Sequence, residues 1–149
     1  MPLNELSATR VGLGGFRLVL PGRVPTKKNR PRIIRVGGYP RVAPCKEYAS
    51  WIHDTEAAAL ILSARLSCAG LTLPVEVPLT RTLRAYLFMK TTGDLSGYEQ
   101  AVDDWLQHYG FIANDRQIRS HDGSRLMLDR QEPRLEIVAQ PYEMRPGEI

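Results

Sequence analysis

The sequence predicts an α+β fold, a mixed β-sheet packed with two main helices and carrying a basic hairpin near its start. Three observations point there. Period-two stretches at Phe16–Leu20 and Leu83–Met89 read as strands. Apolar residues at helical spacing recur from Tyr48 to Leu66 and from Tyr98 to Tyr109. Short strand material returns near the end, from Arg134 to Val138. The 149 residues suit one domain with its own core. That domain is expected over 14–141, between a loose tail at 1–13 and a second tail at 142–149.

Taken in order, Met1 to Leu13 shows no clear period. Phe16 to Leu20 forms a first strand, ended by Pro21-Gly22. Pro25 to Pro31 is a basic, turn-rich loop whose prolines limit the entropy lost on docking. Ile33, Ile34 and Val36, then Gly37-Gly38, then Tyr39 to Val42 read as a hairpin. Ala43-Pro44 opens a helix, with Pro44 in the first helical position. The stripe Tyr48, Ile52, Thr55, Ala59, Leu62 and Leu66 faces the core, with Trp51 beside it. Gly70 ends that helix. Leu73 to Pro78 is extended, held off helix by its prolines. Leu83 to Met89 is a strand, with Ala85, Leu87 and Met89 on one face and Tyr86 and Phe88 on the other. In the second helix Tyr98, Ala101, Val102, Trp105 and Tyr109 face inward. Glu99, Gln100, Asp103, Asp104 and Gln107 share the other side, and Gly110 is the C-cap. Asp115 to Arg119 begins another strand, and Asp122-Gly123 signals a hairpin.

Composition excludes several classes. No apolar run approaches the ~20 residues of a membrane span. The N-terminus lacks a basic segment followed by an apolar one, so a cytoplasmic location is the expectation. Cys45 and Cys68 fall near opposite ends of one predicted helix, too far apart to bridge. Neither cysteine shares metal-ligand spacing with His53, His108 or His121. There is no Gly-rich phosphate loop, internal repeat or supported Ser-His-Asp arrangement.

Charge is informative. The chain carries +4 overall, unevenly spread. From Gly22 to Glu47 eight basic residues stand against Glu47 alone. From Gly93 to Asp122 six acids face Arg116 and Arg119. A basic arm beside an acidic centre suits a polyanion gripped by one region and acted on at another. Lys27, Lys28, Asn29, Arg30, Arg32, Arg35 and Arg41 are the expected nucleic-acid contacts, a merely solvated basic loop being the alternative. Asp94 precedes the second helix and Asp115 follows the turn that closes it. Two carboxylates at ~4 Å with an effective dielectric of ~20 repel by ~4 kcal/mol, and a bound cation removes that repulsion. The alternative is two loop aspartates, one capping a helix and one in a turn.

Asp94-Leu95, Ala101, Asp104, Leu106, Gly110-Phe111-Ile112, Asp115, Gln117 and Ile118 resemble the RusA family of Holliday junction resolvases. Pro25-Thr26-Lys27-Lys28-Asn29-Arg30 is similar to that family's Pro-x-x-x-Asn-Arg start, and Tyr48 fits as well. The likeness runs from about Phe16 to Val138. It implies an α+β homodimer that cleaves four-way DNA junctions with magnesium, or with manganese in its place. It further implies a role in recombination and repair, and frequent encoding by phages. The family's first and third metal-binding aspartates fall on Asp94 and Asp115, and its second falls on Ser96. The family's Asn falls on Gly97, its Lys on Gln100, and the first Asp of its late pair on Asn114. Catalysis is thereby expected of Asp94, Asp115 and Ser96, with Gln100, Asp104 and Asn114 as auxiliaries. Serine supplies a neutral oxygen where the family has a charge, and Gln100 removes a cation beside the transferred phosphate. A degenerate RusA-like protein that binds branched DNA without cutting it is therefore the alternative. A protein-interaction module is the second alternative.

Overall fold

The computed structural model describes residues 5–23, 25, 32–43, 45–90 and 93–149. Its architecture is α+β, with a six-stranded mixed sheet and a separate two-stranded ribbon. The main sheet runs β1 (Ser7–Val11), β2 (Gly15–Pro21), β8 (Arg134–Pro141), β5 (Leu79–Leu87) and β6 (Ile118–Ser120), and β7 (Arg125–Leu128) also pairs with β5.

Ser7–Val11 corrects the expectation of a loose start. Ser7 pairs with Val19 and Val11 with Gly15. The half-exposed edge strand lacks an apolar alternation, so pattern reading passes over it. Its turn is pinned by Arg10, whose guanidinium donates to the carbonyls of Gly12, Leu13 and Ala69. Gly15 is required by space: a Cβ there would lie 2.6 Å from the Ala139 carbonyl oxygen and 2.7 Å from that of Val11.

The helix expected from Pro44 to Gly70 is two segments, α1 (Lys46–Asp54) and α2 (Glu56–Cys68). Pro44 itself lies outside the described residues. The joint is Thr55, at φ −99° and ψ 6°. Helical hydrogen bonding continues across it, from Thr55 N to Trp51 O and from Ala59 N to Thr55 O. The Thr55 hydroxyl donates to Trp51 O at 2.7 Å, a back-bond of the kind that bends helices. It also accepts from Trp105 Nε1 at 2.8 Å. That indole is fully buried and stacks on Phe111, ring centres 5.2 Å apart. Thr55→Val should strand the indole N–H and cost about 1–3 kcal/mol in urea unfolding, while Thr55→Ser keeps most of the stability. A loss of equal size in both would place the effect in packing instead.

Gly70 and Gly110 end α2 and α3 (Leu95–His108) as expected, both at positive φ. In each case two bonds close the helix: Gly70 N to Ser67 O with Leu71 N to Leu66 O, and Gly110 N to Gln107 O with Phe111 N to Leu106 O. The helices cover one face of the sheet. That inner face carries Phe16, Leu18 and Leu20 of β2, Leu79, Leu83 and Ala85 of β5, and Leu135, Ile137 and Ala139 of β8. Tyr48, Trp51, Leu62, Leu66, Ala101, Val102 and Trp105 pack against it.

Strand β5 begins four residues earlier than expected. Asp115–Gln117 is a 3-10 turn, and the strand after it starts at Ile118. Asp122-Gly123 makes a turn and no hairpin. β6 and β7 do not pair with each other; both run parallel to β5 and lie end to end along it. Between them the β5 edge is met by the turn itself. Thr82 Oγ1 donates to Asp122 O at 2.7 Å, and Leu83 N donates to Ser124 Oγ at 3.0 Å.

Candidate nucleic-acid interface

The basic hairpin forms as the sequence predicts, from β3 (Arg32–Val36) and β4 (Tyr39–Ala43). Gly37 and Gly38, at φ +60° and +83°, supply the left-handed turn that matches strand twist. Period-two geometry puts Arg32, Ile34, Arg41, Val36 and Tyr39 on one face, and Ile33, Arg35, Pro40 and Val42 on the other. Every one of these side chains is exposed, and only Ala43 at the base is buried. A two-stranded ribbon has little stability alone and fits the DNA major groove in size. Apolar side chains stand exposed on both its faces, Ile34, Val36 and Tyr39 on one and Ile33 and Val42 on the other. Lys27, Lys28, Asn29 and Arg30 lie outside the described residues.

The acids are arranged differently from expectation. Asp94 is exposed and is the N-cap of α3, its Oδ1 accepting from Gly97 N at 3.0 Å. Asp115 is exposed at the other end. Its backbone N donates to Gln107 Oε1, in the last turn of α3. Thirteen residues of helix separate Asp94 from Gln107, about 20 Å of rise. The sheet gives the same answer independently. Asp115 is three residues before Ile118, the partner of Leu79 at the start of β5, whereas Asp94 follows the end of β5. The structure therefore does not bring Asp94 and Asp115 together within one chain, and the pair does not fit a shared magnesium there. Among the described residues no group of three or more His, Cys, Asp or Glu side chains is placed to hold a metal.

Ser96 and Gln100 are exposed on α3, in its first and second turns. Asn114 caps the 3-10 turn: its Oδ1 accepts from Arg116 N while Gln117 Oε1 accepts from Asn114 N. Asp104 is half-buried. Tyr48 belongs to the core, where burial first, then the neighbouring Tyr109 and Cys45, push its hydroxyl up to about 12. It is a neutral phenol at neutral pH.

Asp103 corrects the reading of α3's polar side. It is nearly buried and faces Arg81, whose side chain is fully buried on the inner face of β5. Asp103 accepts from Arg81 Nε at 2.6 Å and from Nη2 at 2.8 Å, while Glu99 accepts from Nη1 at 3.4 Å. His121 Nε2 stands 3.6 Å from Asp103 Oδ2. Two of the acids that gave the central segment its charge are thus spent on anchoring α3 to the sheet.

The C-terminal end of β5 opens into a cleft of about 160 Å³. Its walls include Arg23, Lys90, Arg134, Tyr86, Phe88 and Tyr98, and among the described residues no carboxylate lines it. Arg23 lies over the Phe88 ring, 4.6 Å from its centre, and Arg134 over Tyr86 at 3.7 Å. Arg134 is also held by Asp129 at 3.0 Å and Glu136 at 3.4 Å. The backbone N–H of Glu132, then the Arg134 hydrogen bond, hold the Asp129 carboxyl below its usual range. Sequence reading missed this cleft because Arg23 and Arg134 are 111 positions apart and meet only through β2–β8 pairing. The available signal was Phe88-Met89-Lys90, aromatic and basic residues just past a strand.

No protein-family model matches the chain, and no curated protein matches it.

Proposed function

We propose that this is a RusA-like DNA-binding protein that engages branched, four-way DNA. The observation that supports this best is the exposed β3–β4 ribbon, which presents Arg32, Arg35 and Arg41 at the front of the most basic stretch of the sequence. Phosphate contacts from such groups supply most of the affinity for DNA. Among the described residues no helix is long and apolar enough to cross a membrane.

Metal-dependent cleavage of the junction is the second reading. Asp94 and Asp115 favour it: both are exposed and both hold the family's spacing. Since they lie at opposite ends of α3, a magnesium or manganese site of this pair needs one carboxylate from each of two copies. A homodimer would supply them.

The test is a labelled four-way junction with and without magnesium, read for binding and nicking at one salt concentration. Tight binding without nicking at any magnesium or manganese concentration is the expected result. Magnesium-dependent nicking that Asp94→Asn and Asp115→Asn each abolish, and that mixing the two variants restores, establishes the second reading. A mixed dimer of that kind keeps one intact pair. Failure to bind any DNA, or binding indifferent to salt, sinks both and favours a protein-interaction module.

A further inference from the structure

We infer that the cleft at the end of β5 holds one unpaired deoxynucleotide of the branched DNA, its base against Phe88 and its phosphate between Arg23 and Lys90. The inference rests on the DNA-binding reading above and adds what part of the DNA is recognised.

Three features of the cleft carry it. The first is size. A volume of about 160 Å³ is close to the ~150 Å³ apolar cavity that admits one benzene ring. It has room for a single planar group and not for a duplex. The second is chemistry. Phe88 is 40% exposed, a large apolar ring in a cleft that also carries Arg23, Lys90 and Arg134 among apolar and aromatic neighbours. Aromatic faces beside a positive groove are how proteins hold single strands without reading their sequence. Arg23 lies over one face of Phe88, which sets a cation beside the ring whose remaining exposed surface a base would meet. The third is place. Arg23 opens the basic segment that continues into the ribbon, and Gly22 N bonded to Pro133 O fixes that point against β8. Of the three cations only Arg134 is bound to carboxylates in the contacts described, which leaves Arg23 and Lys90 as the phosphate partners.

A duplex holds its bases in a continuous stack, while stacking is interrupted at the crossover of a four-way junction, so a base can be drawn out there at lower cost. The cleft therefore discriminates branched from linear DNA through what is unpaired.

The experiment measures equilibrium binding of the full chain to three probes: a labelled dT oligonucleotide, a duplex of the same length, and a four-way junction with 2-aminopurine at the crossover. Phe88→Ala should weaken dT binding about tenfold, within the 1–3 kcal/mol per stacked base usual for such platforms. It should leave duplex binding unchanged and abolish the 2-aminopurine intensity change on junction binding. Phe88→Trp should preserve all three signals. Equal losses on dT and duplex, or no loss on dT, overturn the inference while the DNA-binding reading stands. Absence of binding to every probe by the unmodified protein overturns both.

Discussion

Asp103→Ala is expected to lower the free energy of unfolding by about 3–5 kcal/mol. Arg81 is fully buried and its guanidinium is bound on two nitrogens by Asp103. Without that carboxylate the cation keeps only the longer contacts to Glu99 and Ser124, each at 3.4 Å. A buried charge deprived of its partner costs far more than the pair contributed, because desolvation is no longer offset. Asp103→Asn keeps an acceptor and should cost less than Asp103→Ala. The paired replacement Arg81→Met with Asp103→Leu removes both charges and should return most of the stability. Urea unfolding monitored by tryptophan fluorescence measures all of these, since Trp105 lies in the same helix. A cost below about 1 kcal/mol for Asp103→Ala would mean that water reaches Arg81 and that the pair is no anchor.

Neutralising the ribbon as Arg32→Gln, Arg35→Gln and Arg41→Gln together should weaken DNA binding by about two orders of magnitude near 0.1 M salt. If all three touch phosphates, the slope of log K against log salt becomes shallower by about 2.7. The side chains are exposed on a hairpin that adds nothing to the main core, so the melting temperature should stay within a degree or two. Filter binding across a salt series, with a thermal melt alongside, separates the two effects. An unchanged slope would remove the ribbon from the interface.

The fold was legible where local chemistry decides it. Gly37-Gly38, Gly70 and Gly110 mark their turns and caps because the chain needs positive φ there, and few other residues supply it cheaply. The apolar stripes of α1, α2 and α3 are visible because burial imposes their spacing. What escaped depends on distant partners. Arg81 sits at period two with Leu79, Leu83 and Ala85, and only the carboxylate 22 positions later makes its burial tolerable. Thr55 reads as one more helical residue until the indole of Trp105, 50 positions on, is seen to use its hydroxyl. The candidate site was half legible. The hairpin that carries Arg32, Arg35 and Arg41 is marked by local turn chemistry, and its side chains are exposed. The separation of Asp94 from Asp115 follows from the straightness of the helix between them, which spacing along the chain does not register.

The way β6 and β7 share one side of β5 bears on how the molecule behaves in company. On that border the two outer strands are brief, three residues for β6 and four for β7, with Arg125 at one end of β7 and Asp129 just past the other. So brief and charged a rim gives a neighbouring copy little backbone on which to zip. Neighbouring copies are therefore hindered on this side from the strand-by-strand stacking that turns sheet proteins into fibrils.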